Sequence, residues 1–325
     1  MTAAPWTPWV PLPGVRDLSG AELLAVRAGG LRLVVELSGP TDGAPLLLIP
    51  GLGMQLTDWP AGLVAQLGAA GFRVINPDLR DFGLSQPMDD LGRVRVHAAA
   101  FSGLMGLRPD APYTLPDLAD DAVNLLDALG VERAHVCGAS MGGMVAQHLA
   151  ARHPERLHSL ALLMTTSGSP WLPRGHPLVL QQMFRKPPKD PDALLAHFEY
   201  LHELIDSPAW PEPPAERRAR VQAALQRCWR PRALERQAVA VMADGDRSPL
   251  LRRIALPTLV VHGSADRLVP PAAGRDLARR IRGAVLDEIA GLGHNFPSAV
   301  WPRLVADLCA LVRHAGDDRV APPAP

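Results

Sequence analysis

Residues 138–142 read Gly-Ala-Ser-Met-Gly, the spacing of a nucleophilic serine on a sharp turn from strand to helix. The apolar residues 134–137 stand directly before it, and a helical pattern runs from Met141 to about His153. Such a turn lifts the Ser140 hydroxyl above the edge of a sheet. Glycine is required at 138 and 142 because a Cβ at either place would meet neighbouring backbone. The helix start behind Ser140 offers free N–H groups and the positive end of a dipole, both favourable to a developing oxyanion. The chemistry this suits is attack on a carbonyl carbon with a covalent intermediate. The bland alternative is a plain tight turn, and the flanking strand and helix weigh against it.

A serine hydroxyl needs a base. Of the eleven histidines, His294 is selected by position, in Gly-Leu-Gly-His-Asn-Phe between a strand at 284–289 and a closing helix at 297–314. His262 is the rival, but it ends a strand and suits a packed structural role. His135, His148, His153 and His158 lie in core elements, and His197 and His202 in a later insertion. The acid that orients the base should follow another strand. Asp266 does so, after residues 257–262, and would accept the His294 Nδ1–H and stabilise imidazolium. Asp244 and Asp246 are alternatives, and Asp266 also reads as a simple turn aspartate. Met141 N–H is one expected oxyanion donor. Leu52 N–H, in the glycine turn Pro50-Gly51-Leu52-Gly53 after the strand at 46–49, is the other. Gln55 and Trp59, close to that turn in sequence, are candidates for substrate contact.

The elements that must position these groups alternate between short apolar runs and longer helical patterns, the signature of a mostly parallel sheet with crossover helices on both faces. Strands are expected at 23–28 and 31–37, joined by a Gly29-Gly30 hairpin, then at 46–49, 72–76, 134–137, 157–164, 257–262 and 284–289. Helices are expected at 58–70, 114–129 and 271–282. Residues 167–250 are too long for a loop. With proline at its joints and helical patterns at about 190–205, 214–229 and 231–243, this stretch reads as a helical cap inserted after the sixth strand. The remainder, 1–166 and 251–325, forms the core domain. A second excursion spans 86–112, and the proline-rich ends, 1–13 and 321–325, read as loose arms.

The formal charge is zero over 325 residues, so nothing steers the protein toward nucleic acid or an anionic membrane. Nearly all the positive charge is arginine, and no arginine run forms a stripe. The three cysteines have no paired framework and suit free buried thiols in a reducing compartment. No signal peptide or membrane-length apolar run is visible. The expectation is a cytoplasmic enzyme of unknown oligomeric state.

These residues resemble the α/β-hydrolase superfamily, in its bacterial carboxylesterase branch, similar to the aclacinomycin methylesterase-like proteins. The matching stretches are Pro50-Gly-Leu-Gly53 with Trp59, Asp78-Leu-Arg-Asp-Phe-Gly-Leu-Ser85, residues 111–115, 121–130, 134–144 and 262–270, and Gly293-His294. The resemblance covers roughly 20–314 and is weakest in the cap. It implies the α/β-hydrolase fold, Ser140, Asp266 and His294 as a triad in the chain order of that fold, Leu52 and Met141 as oxyanion donors, a small-molecule ester substrate, and neither cofactor nor metal. Pro50 stands where many members carry histidine, which alters the support of the loop but not its backbone donors. Serine at 140 argues against the dehalogenase and epoxide-hydrolase branches, which carry aspartate there. An acyltransferase, thioesterase, perhydrolase or C–C hydrolase would use the same triad, and a binding protein of this fold would have lost turnover.

Overall fold

Residues Ala44–Ile49 are covered on both faces, as their unbroken apolar sequence predicts. Leu46 and Leu48 pack with Leu63, Leu67, Leu304 and Leu308, whereas Leu47 and Ile49 pack with Leu118, Leu125, Val145 and Leu149. That alternation is the period of two of a strand. In this computed structural model the described residues are 9–16, 22–105 and 107–321, and among them nine strands form one sheet.

In chain order the strands are β1 (Trp9–Arg16), β2 (Glu22–Ala28), β3 (Leu31–Ser38), β4 (Ala44–Ile49), β5 (Phe72–Pro77), β6 (Ala134–Ala139), β7 (Leu157–Leu163), β8 (Thr258–Gly263) and β9 (Val285–Ile289). Their spatial order is β1-β2-β3-β5-β4-β6-β7-β8-β9. Pairings from β1 through β3 to β5 are antiparallel, and all the others are parallel. Gly29 and Gly30 turn the β2–β3 hairpin with φ of 56° and 87°, the left-handed values such a turn demands. The chain runs from β4 to β5 on one side and then returns to β6 on the other. The order reverses there, and ligands in open α/β sheets bind beside such a point.

Helices α1 (Ala61–Ala69), α2 (Val96–Leu104), α3 (Leu115–Ala128) and α4 (Met141–Arg152) precede β7. Between β7 and β8 come α5 (Pro177–Phe184), α6 (Pro191–Leu204), α7 (Pro214–Arg227), α8 (Pro231–Asp244) and α9 (Ser248–Leu251). Then follow α10 (Ala272–Arg280) and α11 (Trp301–His314). Helices α1 and α11 cover one face of the sheet, and α3, α4 and α10 the other. Thr114 starts α3 with a reciprocal capping box to Asp117. Proline opens each of α5, α6, α7 and α8, where its missing N–H would have had no helical partner.

Two expectations need correction. Residues 9–13 are not a loose arm: they belong to β1, with Trp9 opposite Val26 and Pro11 opposite Leu24. Proline is tolerated there because β1 is an edge strand and one side needs no ladder. The helical insertion therefore follows the seventh strand rather than the sixth. The outer parts of the two expected arms, 1–8 and 322–325, lie outside the described residues. Within the two excursions, α2 and α5 form where the sequence indicated no helix. Among the described residues no helix is long and apolar enough to cross a membrane.

Candidate active site

β6 ends at Ala139 and α4 begins at Met141, so Ser140 alone turns the chain. Its φ of 52° and ψ of −117° are values an L-residue adopts only when its surroundings enforce them. Here they do. Ser140 N–H donates to Leu163 O at 2.9 Å, and its carbonyl accepts from Gly143 N–H and Met144 N–H. The Thr165 hydroxyl donates to the same carbonyl at 2.6 Å. A Cβ on Gly138 would lie 2.3 Å from Gly142 O, and one on Gly142 would lie 2.0 Å from Ile49 O. Both glycines are thus demanded by close backbone approach, as the motif predicts.

Asp266 and His294 arrive from the loops after β8 and β9. Asp266 Oδ1 accepts the N–H groups of Leu268 and Val269 at 2.9 and 2.8 Å, which fixes the carboxylate and leaves Oδ2 free. The His294 loop is held by the insertion: His294 N–H donates to Ile205 O at 2.8 Å, and Gly293 N–H to Ser207 Oγ at 2.8 Å. The structure brings the three predicted residues together. His294 Nδ1 lies 2.7 Å from Asp266 Oδ2, and its Nε2 lies 3.1 Å from Ser140 Oγ. The Asp266 side chain is fully buried and that of His294 nearly so, whereas Ser140 is half-buried.

The rival groups are engaged elsewhere. His262 Nε2 donates to Val269 O at 2.8 Å and stands 3.5 Å from Asp266 Oδ2. Burial lowers its pKa, which keeps it neutral. Asp244 bonds His148 and Arg247, and Asp246 accepts from Ser248 N–H.

The loop after β4 runs beside the serine: a Cβ on Gly51 would lie 3.3 Å from Ser140 Cβ. Pro50 has no N–H. Gly51 N–H is directed at Met54 Sδ, Gly53 N–H donates to Gln237 Oε1, and Met54 N–H donates to Gly51 O. Leu52 N–H is the remaining donor of the turn. Among the described residues, neither it nor Met141 N–H has an acceptor in the protein.

Gln55 and Trp59, expected near substrate, are held in packing instead. Gln55 is buried. Its Nε2 donates to Ala224 O and Cys228 O, and its Oε1 accepts from Arg227. Trp59 is 2% exposed and stacks on Phe296 at 5.1 Å.

Sequence reasoning also missed what ties the insertion to the core. Arg227 of α7 pairs with Asp78 at 2.8 Å. Arg236 of α8 grips Asp81 with two hydrogen bonds, and Tyr113 OH donates to the same carboxylate at 3.2 Å. Burial beside that carboxylate pushes the Tyr113 hydroxyl well above its ordinary pKa. The available signal was Asp78-Leu-Arg-Asp81 itself, two acids in a stretch that otherwise reads as a buried turn. Among the described residues no cluster of three histidine, cysteine or acidic side chains is placed to hold a metal ion.

Comparison with known proteins adds four findings. Residues 44–297 match the α/β hydrolase fold family. The chain is 31% identical over 299 residues to rhodomycin D methylesterase DnrP of Streptomyces peucetius, covering 86% of this chain and 94% of the relative. It is 32% identical over 287 residues to 2-hydroxymuconate semialdehyde hydrolase of Pseudomonas sp. strain CF600, covering 85% and 87%. Among solved structures, the esterase RhEst1 from Rhodococcus sp. ECU1013 superposes with a TM-score of 0.63 at 22% identity, covering 90% of this chain and 98% of that one.

Proposed function

The chain belongs to the α/β-hydrolase fold family and is a carboxylic ester hydrolase, and we propose that it works through an acyl-enzyme on Ser140, with His294 as base and Asp266 orienting it. The observation that carries this reading is the continuous relay of 3.1 Å from Ser140 Oγ to His294 Nε2 and 2.7 Å from His294 Nδ1 to Asp266 Oδ2.

In this reading each step has its own side chain or backbone N–H. With Asp266 Oδ2 accepting Nδ1–H, the lone pair of His294 sits on Nε2 and faces the serine hydroxyl. As Oγ attacks the ester carbonyl, Nε2 takes its proton. The carbonyl oxygen becomes an oxyanion held by Leu52 and Met141 N–H, each such donor typically worth about 3 kcal/mol in the transition state. The C–O bond to the alcohol then breaks, and His294 returns the proton to the leaving oxygen. Water gives a proton to the same nitrogen as its oxygen attacks the acyl carbon, the acyl–Oγ bond breaks, and His294 returns the proton to Oγ, which releases the acid and restores Ser140.

Residues 167–250 act in this reading as the cap over the carboxyl edge of the sheet, with 1–166 and 251–325 as core. Two relatives are rhodomycin D methylesterases at 31% identity, which favours methyl esters as substrates. Such substrates require little room for the departing alcohol.

The test is methanol release from a panel of methyl esters, together with labelling by a fluorophosphonate. Wild type should be labelled at Ser140 and should turn over at least one ester, whereas Ser140→Ala should do neither. Wild-type protein that is folded but unlabelled, or a Ser140→Ala variant with undiminished turnover, ends the assignment.

A further inference from the structure

Gln237 of α8 is fully buried, and its Oε1 accepts Gly53 N–H at 3.0 Å. We infer that Gln237 is a positioning residue for ester cleavage: it holds the turn after β4 so that Leu52 N–H faces the oxyanion. The inference rests on the serine mechanism proposed above and extends it to a residue of the insertion.

The turn has little of its own to fix it. Its internal contacts are Gly51 N–H to Met54 Sδ and Met54 N–H to Gly51 O, and Gly53 has a φ of 72°. Helix α8 touches it twice. Besides the Gln237 bond, Leu234 Cδ1 stands 2.9 Å from where a Gly53 Cβ would be. The helix is itself anchored at the neighbouring position, where Arg236 holds Asp81 with bonds of 2.6 and 2.8 Å.

Gln237 Nε2 has no hydrogen-bond partner among the described residues. Burying an amide with one end unpaired is unfavourable. The single bond to Gly53 is therefore what a glutamine contributes here that an apolar residue would not. Without it the turn is free to rotate, and Leu52 N–H leaves its line to the carbonyl oxygen.

The experiment compares Gln237→Met, which keeps the length and removes the acceptor, with Gln237→Glu, which keeps the acceptor oxygen. Nε2 makes no hydrogen bond among the described residues, and burial holds a carboxyl without a paired cation in its neutral form, so Glu presents an acceptor oxygen to Gly53 N–H and adds no charge. A misplacement of this kind lowers rate by about 10- to 100-fold. The Met variant should show that loss in kcat with KM within about threefold, because the oxyanion exists only after binding. Labelling by the fluorophosphonate, which also builds a negative oxygen in the same place, should slow in parallel, and Glu should recover most of both. A Met variant with wild-type kcat, or equal impairment of Met and Glu, overturns the inference. Should Met fail to fold, amide exchange of Gly53 in the wild type decides. Slowed exchange supports the bond, and exchange at the rate of an open loop overturns it. Wild type unlabelled at Ser140 would sink the serine mechanism itself, whereas labelled wild type with an unimpaired Met variant sinks only the role of Gln237.

Discussion

Asp81 and Arg236, 155 positions apart, meet through two hydrogen bonds of 2.6 and 2.8 Å. Both side chains are almost completely closed to solvent. Removing Arg236 would leave the Asp81 carboxylate buried without its paired cation, held among the described residues only by the Met88 N–H and the Tyr113 hydroxyl, a loss of about 3–5 kcal/mol. Arg236→Met should therefore lower urea-unfolding stability by about that much. Asp81 has a φ of 70°, which asparagine also tolerates. Adding Asp81→Asn to Arg236→Met removes the orphaned charge and should recover part of the loss. A single variant costing under about 1 kcal/mol, or a double variant equal to the sum of the singles, would show that the pair is not coupled.

This pair also marks where sequence reading stops. Ser140, Asp266 and His294 were legible because each follows a strand, and strand periodicity is a local signal. Partners such as Asp81 with Arg236, or Gly53 with Gln237, are joined across the fold and leave no periodic trace. Gln55 misled for a related reason. Nearness in sequence to the Leu52 turn suggested substrate contact, yet the polar atoms of its side chain reach α7 and the residue just after it. Strand β1 was obscured by Pro11 and Pro13, which the sheet accepts only because that strand is at its edge.

The carboxylate of Asp266 divides its two oxygens, and Asp266→Asn should exploit that division. Oδ1 accepts two backbone N–H groups, so the amide oxygen of asparagine would take that place. Its NH2 would then face His294 Nδ1 as a donor. The histidine would switch its proton to Nε2 and present N–H, not a lone pair, to Ser140. On the proposed mechanism kcat should fall by about 10⁴-fold at neutral pH, with the melting temperature little changed. Turnover within about tenfold of wild type would show that Asp266 does not set the tautomer.

His135 gives a pH dependence of stability that has nothing to do with turnover. It is buried in β6, with Nδ1 2.8 Å from Ser159 Oγ and Nε2 3.3 Å from Asp317. Burial outweighs the nearby carboxylate and lowers its pKa from 6.5 to about 4. The unfolded chain thus takes up this proton near pH 6.5, and the folded chain not until about pH 4. Its contribution is complete above the unfolded value and is lost as pH falls from there toward about 4. Between about pH 7 and pH 5 the loss should be about 2 kcal/mol. His135→Gln, which cannot titrate, should flatten that fall whatever its own stability. Calorimetric profiles of equal slope would refute the assignment.

The contact between Gly142 and the end of β4 should be the least forgiving in the site. A Cβ there would stand 2.0 Å from Ile49 O and 2.6 Å from Pro50 O. Both are backbone atoms, so no side chain can swing aside to make room. The first turn of α4 and the start of the turn carrying Leu52 would have to separate. Gly142→Ala should therefore destabilise by about 3 kcal/mol or more, the upper end of what overpacking costs. Any folded fraction should also lose kcat, since the Met141 and Leu52 N–H groups would no longer converge on one oxygen. Gly130→Ala is the control. Gly130, unlike Gly142, has a left-handed φ, of 67°, and it has open space around its Cβ position. It should therefore lose stability from backbone strain alone and keep its turnover. If both variants lose stability equally and neither loses kcat, close approach at Gly142 is not what shapes the oxyanion site.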